Sequence, residues 1–187
     1  MAKKTTKKVA AKKETATQPL PIIGEAIKMY QHDTTINENI VNNCLTEEQR
    51  KCVETLDGAM SPLDGLELNR LLTMSVIREY MKQVNVGSVQ ELAGKTIESI
   101  PYMSTTKNEL HGMVKRRYDI GLDKPVCIVV STEGKVKGID VNALADGNDF
   151  AHQNEVILAR GQKFIVKKIV MERGYGEAYP IIHLAAV

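Results

Sequence analysis

Gln153 and Glu155 stand two residues apart, immediately before the apolar run Val156-Ile157-Leu158. In an extended chain, residues i and i+2 project to the same face, so one amide and one carboxylate can meet a single bound ligand there. A carboxylate in that position can accept a hydrogen bond from a hydroxyl and stabilise positive charge developing nearby. The amide can donate and accept without ionising, but it cannot serve as a general base. Upstream, Leu68-Asn69-Arg70 sets a guanidinium in an apolar context. Its permanent charge and planar fork suit bidentate contact with phosphate oxygens. Between these two segments, Ser104-Thr105-Thr106 supplies consecutive hydroxyls after Tyr102-Met103.

Taken in order, Arg70, Ser104-Thr105-Thr106 and Gln153-Asn154-Glu155 resemble the arginine, serine-threonine-serine, glutamate signature of the toxin-type mono-ADP-ribosyltransferases. The likeness runs from about Leu66 to Val170, and the stretch Phe150-Ala151-His152-Gln153-Asn154-Glu155 is similar to the Phe-Ala-x-Gln-x-Glu loop of the clostridial Rho-modifying exoenzymes. The resemblance implies an enzyme that breaks the nicotinamide–ribose bond of NAD through an oxocarbenium-like transition state, as in glycoside cleavage. ADP-ribose would pass to a protein or nucleic-acid acceptor. Glu155 is then the principal catalytic residue, hydrogen-bonding a ribose hydroxyl and stabilising the cation, while Arg70 holds the pyrophosphate. Ser104 would orient Glu155, and Thr105 would support either the nicotinamide pocket or the adjoining strand. Gln153 would favour an Asn side chain or a nucleobase over Arg as acceptor, because members that modify arginine generally carry a second Glu there. Phe150 would contact the acceptor or anchor the loop.

Two departures from the family pattern bear on these assignments: Leu71 follows the arginine where Gly is usual, and Thr106 replaces the last Ser. Arg78 is the alternative arginine if the first motif is displaced, and Arg116 and Arg117 carry less weight. Two other readings stay open. Water as acceptor would make the chain an NAD glycohydrolase, and a catalytically inactive body would leave a nucleic-acid-binding or structural protein acting through its basic tail.

The elements that must position these residues follow from periodicity. Ile22, Ile23, Ala26, Ile27 and Tyr30 recur at helical spacing, a second helical stretch covers Ile36 to Leu45, and Thr46 with Gln49 forms a capping box for a helix to about Leu56, stopped by Asp57-Gly58. Leu66 to Leu72 reads as a buried strand, Ser88 with Glu91 caps a short helix, and Thr96 to Ser104 reads as one further strand. Thr106 with Glu109 opens a helix ending near Gly121. The remainder is β-rich, with runs over Pro125–Val130, Val136–Val141, Glu155–Leu158, Lys163–Met171 and Ala178–Ala186. The expected class is α+β: N-terminal helices followed by a mixed or antiparallel two-sheet core of the kind the resemblance implies. Residues 19–187 would form one domain, helical over 19–60 and β-rich over 61–187.

Charge is unevenly spread. Six lysines against Glu14 give the first eighteen residues a surplus of five, which against +2 for the whole chain leaves the body at −3. This Lys/Ala/Thr tract lacks the apolar content to fold and is expected to be a disordered tail, either solubilising or able to make salt-sensitive contacts with nucleic acid. The three cysteines lack CxxC spacing, and the four histidines are scattered. That excludes a disulfide framework and a recognisable zinc motif, and suits a reducing compartment. No metal is expected. Without a signal core or a long apolar run, the sequence reads as a cytoplasmic protein, in the producing or a target cell, with no membrane contact and a monomeric state. A phage-encoded modifier, an exported effector and an endogenous enzyme all fit such a chain.

Overall fold

The computed structural model describes residues 22–119, 125–133, 135–144, 151–174 and 176–187. The basic tail and Phe150 lie outside these described residues. The helices at the start are α1 (Ile23–His32), α2 (Ile36–Val41) and α3 (Glu47–Ala59). Helix α1 buries Ala26, Ile27 and Tyr30, the stripe its periodicity dictates. The capping box of α3 is formed: the Gln49 N–H donates to Thr46 Oγ1 at 3.2 Å and the Thr46 N–H to Gln49 Oε1 at 3.1 Å. The same buried Gln49 side chain also donates to Asp33 Oδ2 (2.8 Å) and Thr35 Oγ1 (3.0 Å), so the cap of one helix pins the turn that leaves another.

Strands β1 (Ser61–Leu63), β2 (Glu67–Leu72), β3 (Thr96–Ser99), β4 (Met103–Thr106), β5 (Val126–Ser131), β6 (Val136–Asp140), β7 (Glu155–Leu158), β8 (Gln162–Gly174) and β9 (Glu177–Ala186) hydrogen-bond in the order β1-β6-β7-β4-β2-β5-β9-β8-β3. Only β5 and β9 run parallel. The sheet is continuous through a single paired position, Asn69 opposite Thr106. On either side of it the pairing is extensive: β2 meets β5 from Glu67 to Leu72, and β4 meets β7 from Met103 to Thr106. The sheet therefore curls into two halves about that point, in agreement with the two-sheet expectation.

The curl encloses the main core, with Met103, Val156 and Leu158 from one half meeting Leu68, Ile128, Phe164 and Leu184 from the other, and Ile77 and Tyr80 of α4 (Met74–Gln83) joining them. Helices α1 to α3 cover the outer face of the first half against Ile139, Val141 and Ile157. Val114 of α5 (Leu110–Asp119) packs on Cys127, Val129 and Ile181, on the outer face of the second half.

Three local expectations are corrected. Helix α3 continues through Gly58 to Ala59, because Asp57 is anchored instead of ending it: its carboxylate lies 2.6 Å from the Tyr102 hydroxyl and accepts from Arg160 Nη2 at 2.7 Å. The run from Thr96 to Ser104 is two strands. Pro101, lacking an N–H, breaks the ladder, and β3 pairs with β8 while β4 crosses to the other half. Thr106 does not cap α5, which begins at Leu110; its hydroxyl donates to the Gln153 carbonyl and accepts from the Asn108 N–H (3.0 Å).

Candidate active site

Alternation along β4 and β7 sorts the motif residues by face. Met103, Val156 and Leu158 point into the core, so Ser104, Thr106 and Glu155 share the outer face, where the last turn of α1 lies across them. Asn69, paired with Thr106, belongs to that face too. Two cavities meet there. One of about 290 Å³ is lined by Asn69, Arg70, Ser104, Thr106, Gln153 and Glu155 among others. Another of about 300 Å³ is lined by Tyr30, Gln31, Asp33, Asn37 and again Ser104, Gln153 and Glu155. Arg70, Ser104, Gln153 and Glu155, separated by up to 85 positions of sequence from first to last, are thus brought to one place.

Glu155 is buried, with 8% of its surface exposed. One carboxylate oxygen accepts a 2.8 Å hydrogen bond from the Gln31 amide, and the other has no partner among the described residues. Ser104, expected to orient this carboxylate, pairs with the Tyr30 hydroxyl at 3.0 Å, and Asn37 donates to that same hydroxyl at 3.0 Å. Burial raises the Tyr30 pKa, opposed by its hydrogen bonds with Ser104 and Asn37 and by the charge of Arg70 nearby. The Thr105 hydroxyl donates to the Val156 carbonyl at 2.7 Å and so supports the adjoining strand. Arg70 is half-buried at the gap where β2 and β4 separate, with no hydrogen bond or ion pair among the described residues. Arg78, the alternative, is exposed on α4 and lines neither cavity, and Arg116 is exposed on α5. Asp33 is held below the usual carboxylate range by hydrogen bonds from Gln49 and Thr35.

The exposed Gln153 stands at the mouth of both cavities, on a loop that three asparagines secure. Asn154 adopts φ +47°, a left-handed conformation that Asn tolerates better than most residues. Its side chain donates to Asn108 Oδ1 at 2.7 Å and accepts from Asn142 at 3.2 Å, while Asn108 Nδ2 holds the Gln153 carbonyl at 3.1 Å. Asn154→Val is expected to melt below Asn154→Gly by the equivalent of about 1–2 kcal/mol, since a β-branched residue resists positive φ while Gly accepts it. Thermal unfolding of the two variants checks this; equal melting temperatures would mean the left-handed turn carries no such strain.

Tyr30, Gln31, Asn69 and Asn108 carry no assigned role at the site in the sequence, where Tyr30 counts only toward the α1 stripe. Only Asn69 left a visible trace, as a polar residue inside the apolar run Leu68 to Leu72. Among the described residues its Oδ1 is buried without a partner, as is Asn37 Oδ1 in the neighbouring cavity. An orphaned acceptor in the same cavity as Arg70, and a second in the neighbouring cavity, fit a ligand that brings both phosphate oxygens and hydroxyl or amide donors, as NAD does. Among the described residues no group of three or more His, Cys, Asp or Glu is placed to hold a metal ion. Cys52 and Cys127 are buried, with pKa values pushed up by burial to about 11 and about 12, so neither is a ready nucleophile. No described helix is long and apolar enough to cross a membrane.

The fold recurs in solved structures. The ADP-ribosyltransferase toxin Plx2a from Paenibacillus larvae superimposes with a TM-score of 0.63 at 14% identity, over 88% of this chain and 85% of that one. The C3 exoenzyme of Clostridium limosum gives 0.59 at 15% identity, covering 88% and 84%. C3stau2 from S. aureus, solved with NAD, gives 0.58 at 18% identity, covering 88% and 86%. No curated protein sequence matches. The family model described as ADP-ribosyltransferase exoenzyme matches residues 24–185. With that match over nearly its whole length, on a fold these toxins share, the chain belongs to the ADP-ribosyltransferase exoenzymes and is an NAD-dependent, toxin-type mono-ADP-ribosyltransferase.

Proposed function

We propose that the enzyme transfers ADP-ribose from NAD to an amide or nucleobase nitrogen, with Glu155 as its catalytic carboxylate and Gln153 as the residue that selects the acceptor. The observation that carries this reading is the convergence of Arg70, Ser104, Gln153 and Glu155 on one cavity, with one oxygen of Glu155 lacking a partner among the described residues. NAD supplies an activated glycosidic bond whose electron pair leaves with nicotinamide. The Arg70 fork would neutralise and orient the pyrophosphate. The unpartnered oxygen of Glu155 would hydrogen-bond a hydroxyl of the nicotinamide-side ribose and stabilise positive charge as the bond lengthens. An acceptor nitrogen then attacks the ribose carbon from the opposite face and loses its proton.

Selection by Gln153 follows from its chemistry. A neutral amide can pair with another amide or a base edge, but it cannot take a proton from a guanidinium. Thr105, tied to the strand that carries Glu155, supports the site from behind. Phe150 would extend the acceptor surface, and the lysine tail would add salt-sensitive contacts to a polyanionic partner.

Label from adenylate-labelled NAD, added to a cell lysate and followed through protease and nuclease digestion, tests the acceptor class. Protease-sensitive label identifies a protein, and nuclease-sensitive label a nucleic acid. Free ADP-ribose alone would replace the transfer reading with glycohydrolysis. In the same assay Gln153→Glu is expected to lose lysate labelling by on the order of tenfold or more and to gain transfer to a small guanidine. Unchanged labelling by that variant would remove Gln153 from acceptor selection.

A further inference from the structure

We propose that Gln31 is a positioning residue of the reaction: its amide N–H fixes one oxygen of Glu155 and thereby presents the other to the substrate. This inference rests on the assignment of Glu155 as the catalytic carboxylate. It arises from the 2.8 Å hydrogen bond between Gln31 Nε2 and Glu155 Oε2, which crosses 124 positions of sequence, and from the placement of both residues on the same 300 Å³ cavity. An unrestrained glutamate has three rotatable bonds, and the substrate hydroxyl must meet one oxygen in one orientation. Gln31 removes that freedom from one side. Its neighbour Tyr30 holds Ser104 in the same way, so the last turn of α1 braces two motif residues at once.

The brace is itself secured. Gln49 fixes the turn after α1 through Asp33 and Thr35, and Asn37 holds the Tyr30 hydroxyl. A neutral amide suits this place because it donates to the carboxylate without competing for its proton. Among the described residues the titratable groups on the elements around Glu155 are Tyr30 and His32 of α1, Asp33 beyond it, Arg70 of β2, His152 before the loop end, and Lys107, which is engaged by Asp140 at 2.8 Å. A second carboxyl at position 31 would add a like charge in direct contact with Glu155, so the two groups would share a proton. The protonated member could then donate to the other as the amide does.

The test compares wild type with Gln31→Ala, Gln31→Met, Gln31→Glu and Glu155→Gln, measuring nicotinamide release, equilibrium NAD binding and thermal unfolding. Gln31→Ala and Gln31→Met are expected to lower kcat by about 10- to 100-fold, the loss of one hydrogen bond to a charged group, with a much smaller change in NAD affinity. Gln31→Glu should retain most activity at acidic pH and lose it as pH rises and the shared proton leaves, a profile that wild type lacks. A residue of merely structural importance would lower the melting temperature without creating that acid-shifted profile. Wild-type kcat in folded Gln31→Met, or an unaltered pH profile in Gln31→Glu, would overturn the proposal while leaving Glu155 in place if Glu155→Gln is inactive. Full activity in Glu155→Gln would overturn both.

Discussion

Glu155→Gln is expected to lower nicotinamide release roughly 100- to 1000-fold while the variant still folds and binds NAD, because the change removes charge at nearly constant shape. Glu155 is 8% exposed, its strand is paired on both sides by β4 and β6, and one of its carboxylate oxygens has no partner among the described residues. Those conditions make a fixed negative charge most effective, since it requires no reorganisation as the cation develops and is little screened by water. An amide there can still accept a hydrogen bond, so ground-state binding should survive. Rapid-quench measurement of nicotinamide release beside equilibrium NAD binding separates the two. Near-normal release would move the catalytic charge elsewhere; equal losses in binding and release would make Glu155 a binding group.

The largest expected effect on stability lies one strand away. Gly138 sits opposite Leu158 in β6, and a methyl group added there would stand 2.8 Å from the Ile157 carbonyl oxygen, 2.8 Å from Leu63 Cδ1 and 3.2 Å from Leu158 Cδ2. The carbonyl belongs to the ladder and cannot swing away as a side-chain tip can. Gly138→Val is therefore expected to destabilise by on the order of 3 kcal/mol, roughly 6–12 °C in melting temperature for a chain of this size. Relief can come only by displacing β7, which begins with Glu155, so turnover at a permissive temperature should fall as well. Gly58→Ala is the matched contrast: it lies inside α3 with nothing within 4 Å of the added methyl. That change should be neutral or stabilise by about 0.5–1 kcal/mol. Similar melting shifts in the two variants would contradict the packing described for the β6–β7 contact.

Which parts of this molecule could be read from residues alone depends on the range of the interactions involved. The stripe of α1, the Thr46–Gln49 cap and the two runs that become β8 and β9 are set by neighbours in sequence and were legible, whereas the pairing of those two strands was not read. Helix α4 was missed. Only Ile77 and Tyr80 are buried along it, and it follows so closely on β2 that its short pattern merges with that strand. Strand β1 is three residues long and exists through its pairing with β6, which no local pattern announces. Pro101 was visible, yet its consequence, a crossing from one half of the sheet to the other, is topological.

The same division holds at the site. Arg70, Ser104, Gln153 and Glu155 carry recognisable chemistry in a recognisable order, and they converge. What their order could not reveal is who holds whom. Ser104 was assigned to Glu155, but α1 stands between the two functions: Tyr30 occupies the serine hydroxyl and Gln31 the carboxylate. Neither residue differs from an ordinary helix residue until the helix is docked.

The contact between Gln31 and Glu155 also bears on when the protein becomes an enzyme. It closes a loop of 124 residues, and β7, which carries the carboxylate, must insert between β6 and β4 before the contact can form. Loops of that length close late, after local helices and hairpins have formed. During synthesis the arginine and hydroxyl motifs leave the ribosome well ahead of the glutamate, and α1 waits without its partner. With Glu155 as the proposed catalytic carboxylate, a chain cut before β7 lacks both that carboxylate and the strand that carries it, and is expected to release no nicotinamide.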